Sequence, residues 1–461
     1  MRNVFVIPLL MIAFLVTNNS KVVAQTKPDP VKMLQARVSY NEGDYANAIQ
    51  IYESLKAKSG EDALLNFRMA ESYLGLKDAE NALKCLDKAR AVNASVDVEL
   101  EFCAALANRM LMNQPKAIEH VNLYLAQKKL PKPDVEKGNG LKAMCEATME
   151  YMANPVDVKI ESASPNINTV ENHEYHPSIT AEGRIMVFTS RRPDSEGGKR
   201  YEEDDDFFED VYISYWDDNI DDWAPATPIP GRINTAKHDA SLSISPDGRQ
   251  LFLYGNQNGG DIFVSKTRMN KNAMRAISRG SADAARLMSI NRWSKAYSLG
   301  KNVNSSYWDS NASLTGDGNS IYFSSERPKG KGNGDIWMST KISSRQWSPA
   351  VHQKAINTVE DEKGAFIHPD GNIIFFSSKG HSNMGGYDIF RSVKKEDGSW
   401  SAPENIGYPI NTTGDEVDFV VTRDGKTAYY CTTNADGGKY DIKKIDLSNY
   451  DILTPEKLRG N

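Results

Sequence analysis

His368-Pro369-Asp370-Gly371-Asn372-Ile373-Ile374-Phe375-Phe376-Ser377-Ser378, followed by Gly385-Gly386-Tyr387-Asp388-Ile389-Phe390, is the stretch that decides the fold. A Pro-Asp-Gly turn delivers the chain into a short β-branched and aromatic run. A glycine-rich link then reverses it into a second such run, the pattern of antiparallel strands. Asp-Gly suits the turn because its backbone tolerates positive φ. The same signal stands at Ser245-Pro246-Asp247-Gly248 before Leu251-Phe252-Leu253, at Thr315-Gly316-Asp317-Gly318 before Ile321 to Ser324, and at Thr422-Arg423-Asp424-Gly425 before Ala428 to Thr432. Glu182-Gly183 before Ile185 to Ser190 is a divergent copy.

The second half of each unit repeats as well. Asp261-Ile262-Phe263, Asp335-Ile336-Trp337 and Asp388-Ile389-Phe390 match closely, with Asp210-Val211-Tyr212 and Asp441-Ile442-Lys443 as looser versions. Trp223, Trp293, Trp347 and Trp400 open the next strand in four units. An Asn-Thr or Asn-Ser turn follows at Asn168, Asn234, Asn304, Asn357 and Asn411, with Asp239, Asp309, Glu362 and Glu416 five positions later in four cases. Five units of four strands predict a five-bladed antiparallel β-propeller over residues 154–450, because each twisted sheet buries its faces only against its neighbours. The last unit lacks its outer strand, whereas 156–162 precede the first without a sheet of their own. Val156 to Ser162 is therefore expected to complete the last blade and hide two sheet edges.

Residues 25–153 have a different period. They are Ala-, Leu- and Lys-rich with apolar spacings of three and four, which is helix. Ala36, Ala70 and Ala105 share one phase of a 34–35-residue repeat, and Ala48, Ala82 and Ala117 another. Gly43, Tyr45, Ala48 and Tyr52, then Tyr73, Gly75, Ala82 and Ala89, follow the spacing of tetratricopeptide repeats. The third repeat, Phe102 to Gln127, is weaker, and a capping helix is expected at about Gly140 to Met152. The fold class is thus α + β, a tetratricopeptide-like solenoid followed by a propeller. Residues 1–24 read as an export signal: Arg2, an apolar run from Val4 to Val16, and small residues at Val22-Val23-Ala24. That run is too short to span a bilayer. Residues 451–461 read as a tail.

The Ser-Pro-Asp-Gly turns, the Phe-Ser-Ser strands and Gly-Gly-x-Asp-Ile-Phe resemble the WD40-like repeats of TolB-type propellers. With the helical repeats, the chain resembles the tetratricopeptide plus propeller envelope proteins of Bacteroidota, among them PorE of the type IX secretion system. The resemblance implies a non-enzymatic scaffold in the periplasm or on the periplasmic face of the outer membrane. Its partners would be envelope proteins of secretion, gliding or motility machinery, and any membrane association would run through them. The leader lacks a lipobox cysteine and no OmpA-like sequence follows the propeller, so direct peptidoglycan anchoring is not implied.

Composition agrees with this class. The 461 residues carry 55 basic and 61 acidic side chains, a net charge of −6, which excludes a general nucleic-acid binder. Cys85, Cys103, Cys145 and Cys431 form no C-x-x-C pair, although Cys85 and Cys103 lie close enough in a helical array for a disulfide. His173-Glu174-Tyr175-His176 has the wrong spacing for a zinc helix and runs into Pro177. No serine-hydrolase elbow is present, no cofactor or metal is expected, and no catalytic residue stands out. Lys395 to Trp400 retains only the Asp-Gly and Trp of a sialidase Asp box. Carboxylates repeated in every blade read as structural. The alternative is a carbohydrate-active or peptidase-like propeller, which needs two close carboxylates peculiar to one pocket.

Two insertions break the repeat. Asp194 to Asp210 carries nine acidic residues against Lys199 and Arg200, and Lys266 to Lys295 carries eight basic residues against Asp283. Asp204, Asp205 and Asp206 in the first, and Arg275, Arg279 and Arg286 in the second, are the candidate partner-binding residues. Ala273 to Leu287 reads as a short amphipathic helix. The acidic loop lacks EF-hand spacing for Ca²⁺. Up-and-down topology places the insertions on opposite faces, where charge steers encounter and orientation.

Overall fold

The computed structural model describes residues 27–198, 200, 206–267, 293–433 and 439–454. Helices α1 (Pro30–Asn41), α2 (Tyr45–Ser59), α3 (Ala63–Gly75), α4 (Ala79–Val92), α5 (Leu100–Met110), α6 (Gln114–Leu125) and α7 (Lys132–Ala153) precede the strands. Aspartates start four of them: Asp29, Asp44, Asp62 and Asp78 each accept an N–H of the first turn, and Asn113 does so for α6. The repeat is visible in the backbone, since Gly43, Lys77 and Met112 hold left-handed φ of 84°, 63° and 58° at equivalent turns. Ala36, Ala48, Ala70, Ala82, Ala105 and Ala117 are all fully buried. A Cβ at Gly75 would lie 2.7 Å from the Tyr45 ring, which explains that pair. The capping helix starts at Lys132, ahead of the Gly140 expected from sequence. Gly138 sits inside it because a Cβ there would lie 2.7 Å from Leu125 Cδ2. Among the described residues no helix is long and apolar enough to cross a membrane.

The strands form five antiparallel sheets in sequence order. The inner strands are Glu174–Ile179, Ala240–Ile244, Asp309–Leu314, Glu362–Ile367 and Glu416–Val421. The last sheet is completed from the other end of the domain: Lys159–Ser162 pairs with Tyr440–Asp446, Lys159 opposite Asp446 and Ser162 opposite Lys443. The expected closing strand is therefore present. The chain beyond the last strand does not leave the domain at once, because Ile452 is fully buried and its carbonyl accepts from Arg391 at 2.7 Å.

Local chemistry explains each repeated signature. In the Asp-Gly turns only the glycine is left-handed, with φ of 70°, 71°, 79° and 70° at Gly248, Gly318, Gly371 and Gly425. The aspartate instead accepts the N–H two residues on, as Asp247 does from Arg249 and Asp370 from Asn372. Trp223, Trp293, Trp347 and Trp400 are buried core residues. The outer strand is broken after the tryptophan. In three blades the following serine turns back on the third strand: Ser294, Ser348 and Ser401 accept N–H from Lys266, Thr340 and Val393 at 2.9–3.0 Å. The four cysteines are free and buried, so Cys85 and Cys103 form no disulfide.

Candidate functional site

Asn168, Asn234, Asn304, Asn357 and Asn411 each clamp one residue of a third strand from both sides. Asn411, for example, accepts Ile389 N–H and donates to Ile389 carbonyl, both at 2.8 Å. The same double bond joins Asn168 to Ile442, Asn234 to Val211, Asn304 to Ile262 and Asn357 to Ile336. The next residue then ties on the following blade. Thr169, Thr235, Ser305, Thr358 and Thr412 give backbone N–H and hydroxyl to Glu174, Asp239, Asp309, Glu362 and Glu416. Glu174 was missed as a blade opener because its link is one residue longer. Its 0 % exposure and these bonds also remove the middle residue of His173-Glu174-Tyr175-His176 from ligand duty.

Third-strand aspartates organise the glycine-rich links. Asp388 accepts Met384 and Gly385 N–H at 2.7 and 3.1 Å, Asp335 accepts Lys331 and Gly332 N–H, and Asp210 accepts Glu196 N–H. Burial raises several of these acids. Asp210 and Asp388 are pushed up to about 7 and Glu416 to about 8, while Asp239, Asp261 and Glu362 are also raised.

The helices dock on this carboxylate-bearing face. Arg109 of α5 is buried and donates from Nη2 to Met384 carbonyl at 3.1 Å, and Thr148 of α7 reaches the same oxygen at 3.4 Å. Thr413 donates to Met110 carbonyl at 3.4 Å. Burial lowers the Arg109 pKa, while Asp388 and Asp415 act the other way. Where the domains meet lies a groove of about 1130 Å³, with Leu74, Leu106, Met110 and Met144 on the helical side and Gly385, Asp415 and Tyr440 on the propeller side.

Beside it, sharing Tyr440, a cavity of about 560 Å³ opens on the propeller axis. Its floor comes from the third residue of the inner strands, where a bulge interrupts all five registers and, in four of them, His176, Asn311, Gly364 and Asp418 are left-handed, with φ of 52°, 49°, 64° and 57°. His, Asn and Asp bear such φ better than other side chains, and here they converge. Asn311 Nδ2 lies 3.3 Å from Asp418 Oδ1 and His176 Nε2 3.4 Å from Asp418 Oδ2, while His176 Nδ1 is buried without a hydrogen-bond partner among the described residues. Below this floor the axis is almost filled, a space of about 20 Å³ bounded by Leu242, Phe366 and Phe419.

Of the sequence-predicted site residues, Asp206 stands at the rim of this cavity, 3.4 Å from Arg191 Nε and 3.7 Å from His173 Nε2. Asp204, Asp205, Arg275, Arg279 and Arg286 lie outside the described residues, as does the expected helix Ala273 to Leu287. The two insertions depart from opposite ends of their sheets, the acidic one after Ser190 on the cavity face and the basic one after Thr267 on the turn face. The axial floor residues were not foreseen. The only signal was a His, Asn, Gly or Asp two places after the blade-opening acid.

No protein-family model matches the chain and no curated protein does. Among solved structures it is similar to the second tetratricopeptide domain of human RPAP3, solved with an HSP70 peptide. The identity is 23% over 24% of this chain and 92% of that one, with a TM-score of 0.23. It is also similar to TolB from Acinetobacter baumannii, at 10% identity over 69% and 71% of the two chains with a TM-score of 0.31. For an α-L-arabinofuranosidase from Lactobacillus brevis the values are 13%, 62%, 94% and 0.38. These likenesses accompany the fold and carry no argument about activity.

Proposed function

We propose that the chain is a non-enzymatic, exported scaffold of the cell envelope that grips a segment of a partner protein between its two domains. The carrying observation is the interdomain groove of about 1130 Å³, whose walls come from both modules and include Met110, Met112 and Met144. Methionine side chains adapt to irregular apolar partners, and a groove walled by two docked modules presents them in fixed relation. The repeated carboxylates support a scaffold reading, since the five inner acids are engaged in joining blades and Asp210, Asp335 and Asp388 in shaping links. A place in secretion, gliding or outer-membrane-associated machinery is part of the same proposal, supported by the leader and by the pairing of the two repeat types.

A photo-crosslinking amino acid at Leu76 or Met112, in the groove, is expected to capture the same envelope protein from both positions. Ile342, exposed near the end of a third strand, serves as control and should not capture it. Absence of any groove-specific adduct would sink the reading. Charge reversal at Arg275, Arg279 and Arg286 is expected to weaken capture of an acidic partner at low salt, and unchanged recovery would make that segment a passive loop.

A further inference from the structure

The axial cavity goes beyond the scaffold reading, because it is built as a small-molecule site. Its volume of about 560 Å³ lies in the range of ligand pockets. Two aromatic groups line it. Tyr254 and Trp308, from the second and third blades, both pack against Gly260. A Cβ at that glycine would lie 2.7 Å from Tyr254 Oη and 3.0 Å from Trp308 Cδ1. From the first and fifth blades, the Tyr175 ring stands 6.0 Å from that of Tyr440 and 5.5 Å from that of His176, and the Tyr175 hydroxyl is tied to Glu209. Both groups are therefore held before any ligand arrives.

The floor and sides supply the polar half. Asp418 offers a carboxylate whose contacts with Asn311 and His176, 3.3 and 3.4 Å, are long enough to leave acceptor capacity. Lys363, whose ammonium lies 4.1 Å from the Tyr387 ring, adds a donor from the fourth blade. Arg191 and Lys363 balance Glu209 and Asp418, so the lining has no excess charge to draw a phosphate or a polycation.

We propose that this cavity binds a neutral sugar ring, the terminal unit of a glycan. A pyranose has apolar C–H faces that pack on aromatic rings and an edge of hydroxyls that both donate and accept. Aromatic walls above a floor with a carboxylate acceptor beside amide and ammonium donors match those two surfaces. A nucleobase would share the aromatic contact, but its attached phosphate would find no cationic cluster here.

Methyl pyranosides of glucose, galactose, mannose and N-acetylglucosamine are the probes, titrated into the full chain and followed by tryptophan fluorescence and saturation-transfer NMR. At least one is expected to bind saturably at millimolar concentration or below. Asp418→Asn, whose side chain tolerates the left-handed backbone, and Lys363→Met should each weaken that binding by about tenfold or more, with unchanged thermal unfolding. The proposal is overturned if no pyranoside saturates, if binding survives both substitutions, or if uridine or glucose 6-phosphate alone occupies the cavity. The groove crosslinks do not depend on this outcome, so the two readings fail separately.

Discussion

The first and third blades treat their inner carboxylate differently from the fourth and fifth. In the former a guanidinium neutralises it: Arg192 Nε lies 3.0 Å from Glu174 and Arg327 Nη2 lies 2.6 Å from Asp309, with both acids fully buried. Each arginine also lies over two aromatic rings of its own blade. Among the described residues, Glu362 and Glu416 keep the threonine clamp without such an arginine. In the fourth blade the equivalent position is Gly380, where a Cβ would lie 1.9 Å from Thr358 Oγ1. His381 takes over one of the lost bonds, lying 2.8 Å from Ile356 carbonyl where Arg327 reaches Val303 carbonyl. These are also the blades on which the helices sit. The Asn and Thr clamp is thus what every blade requires, whereas charge compensation is separable and gives way where a compact link must receive Arg109.

The sharpest way to break that comparison is to remove a compensating cation. Arg192→Met keeps a long side chain over Phe188 and Tyr212 but strands a buried carboxylate, so a loss of about 3–5 kcal/mol is expected in urea unfolding. A loss below about 1 kcal/mol would make the arginine ornamental and the contrast empty. Arg109→Met probes the other side. It removes one bond to a buried carbonyl at the domain junction, so about 1–2 kcal/mol is expected. Hydrogen exchange should rise in 379–387 and 412–415 while the first three blades stay protected. Uniform loss of protection would show that the docking is not local.

Much of this architecture was legible in the sequence because it is repeated. The Asp-Gly turns, the buried tryptophans and the Asn-Thr pairs recur for backbone reasons, and the outer strand supplied by Lys159–Ser162 follows from counting them. What stayed hidden is what occurs once. Arg109 sits in an ordinary helical sequence, and only the fold carries it to Met384 carbonyl, 275 residues away in the chain. His176, Asn311 and Asp418 come from three blades, and no spacing links residues that meet only on an axis. The early start of α7 was masked by Gly138, whose role is close packing rather than helix termination.

The smallest of the expected effects concerns the uncompensated acids themselves. Burial pushes Glu416 up to about 8, with the Asp388 charge adding to the rise, and pushes Asp388 up to about 7, partly relieved by the Met384 and Gly385 N–H groups, Asn405 and Arg109. A carboxyl whose pKa is raised in the folded state favours folding when protonated. Its contribution is complete below the ordinary carboxylate range and is lost as pH rises through about 8 for Glu416. The fifth blade should therefore loosen between pH 5 and pH 9, in the sense opposite to acid unfolding of ion-paired carboxylates. Glu416→Gln keeps an acceptor for Thr412 and removes the titration. At pH 8 it should stabilise the protein by about 1 kcal/mol, the relief of a buried charge set against a poorer hydrogen bond, and at pH 5 it should be neutral or slightly destabilising. Melting curves of the two proteins that stay parallel across this range would mean that Glu416 is ionised and paid for elsewhere, and the distinction between the arginine-bearing and helix-bearing blades would lose its electrostatic basis.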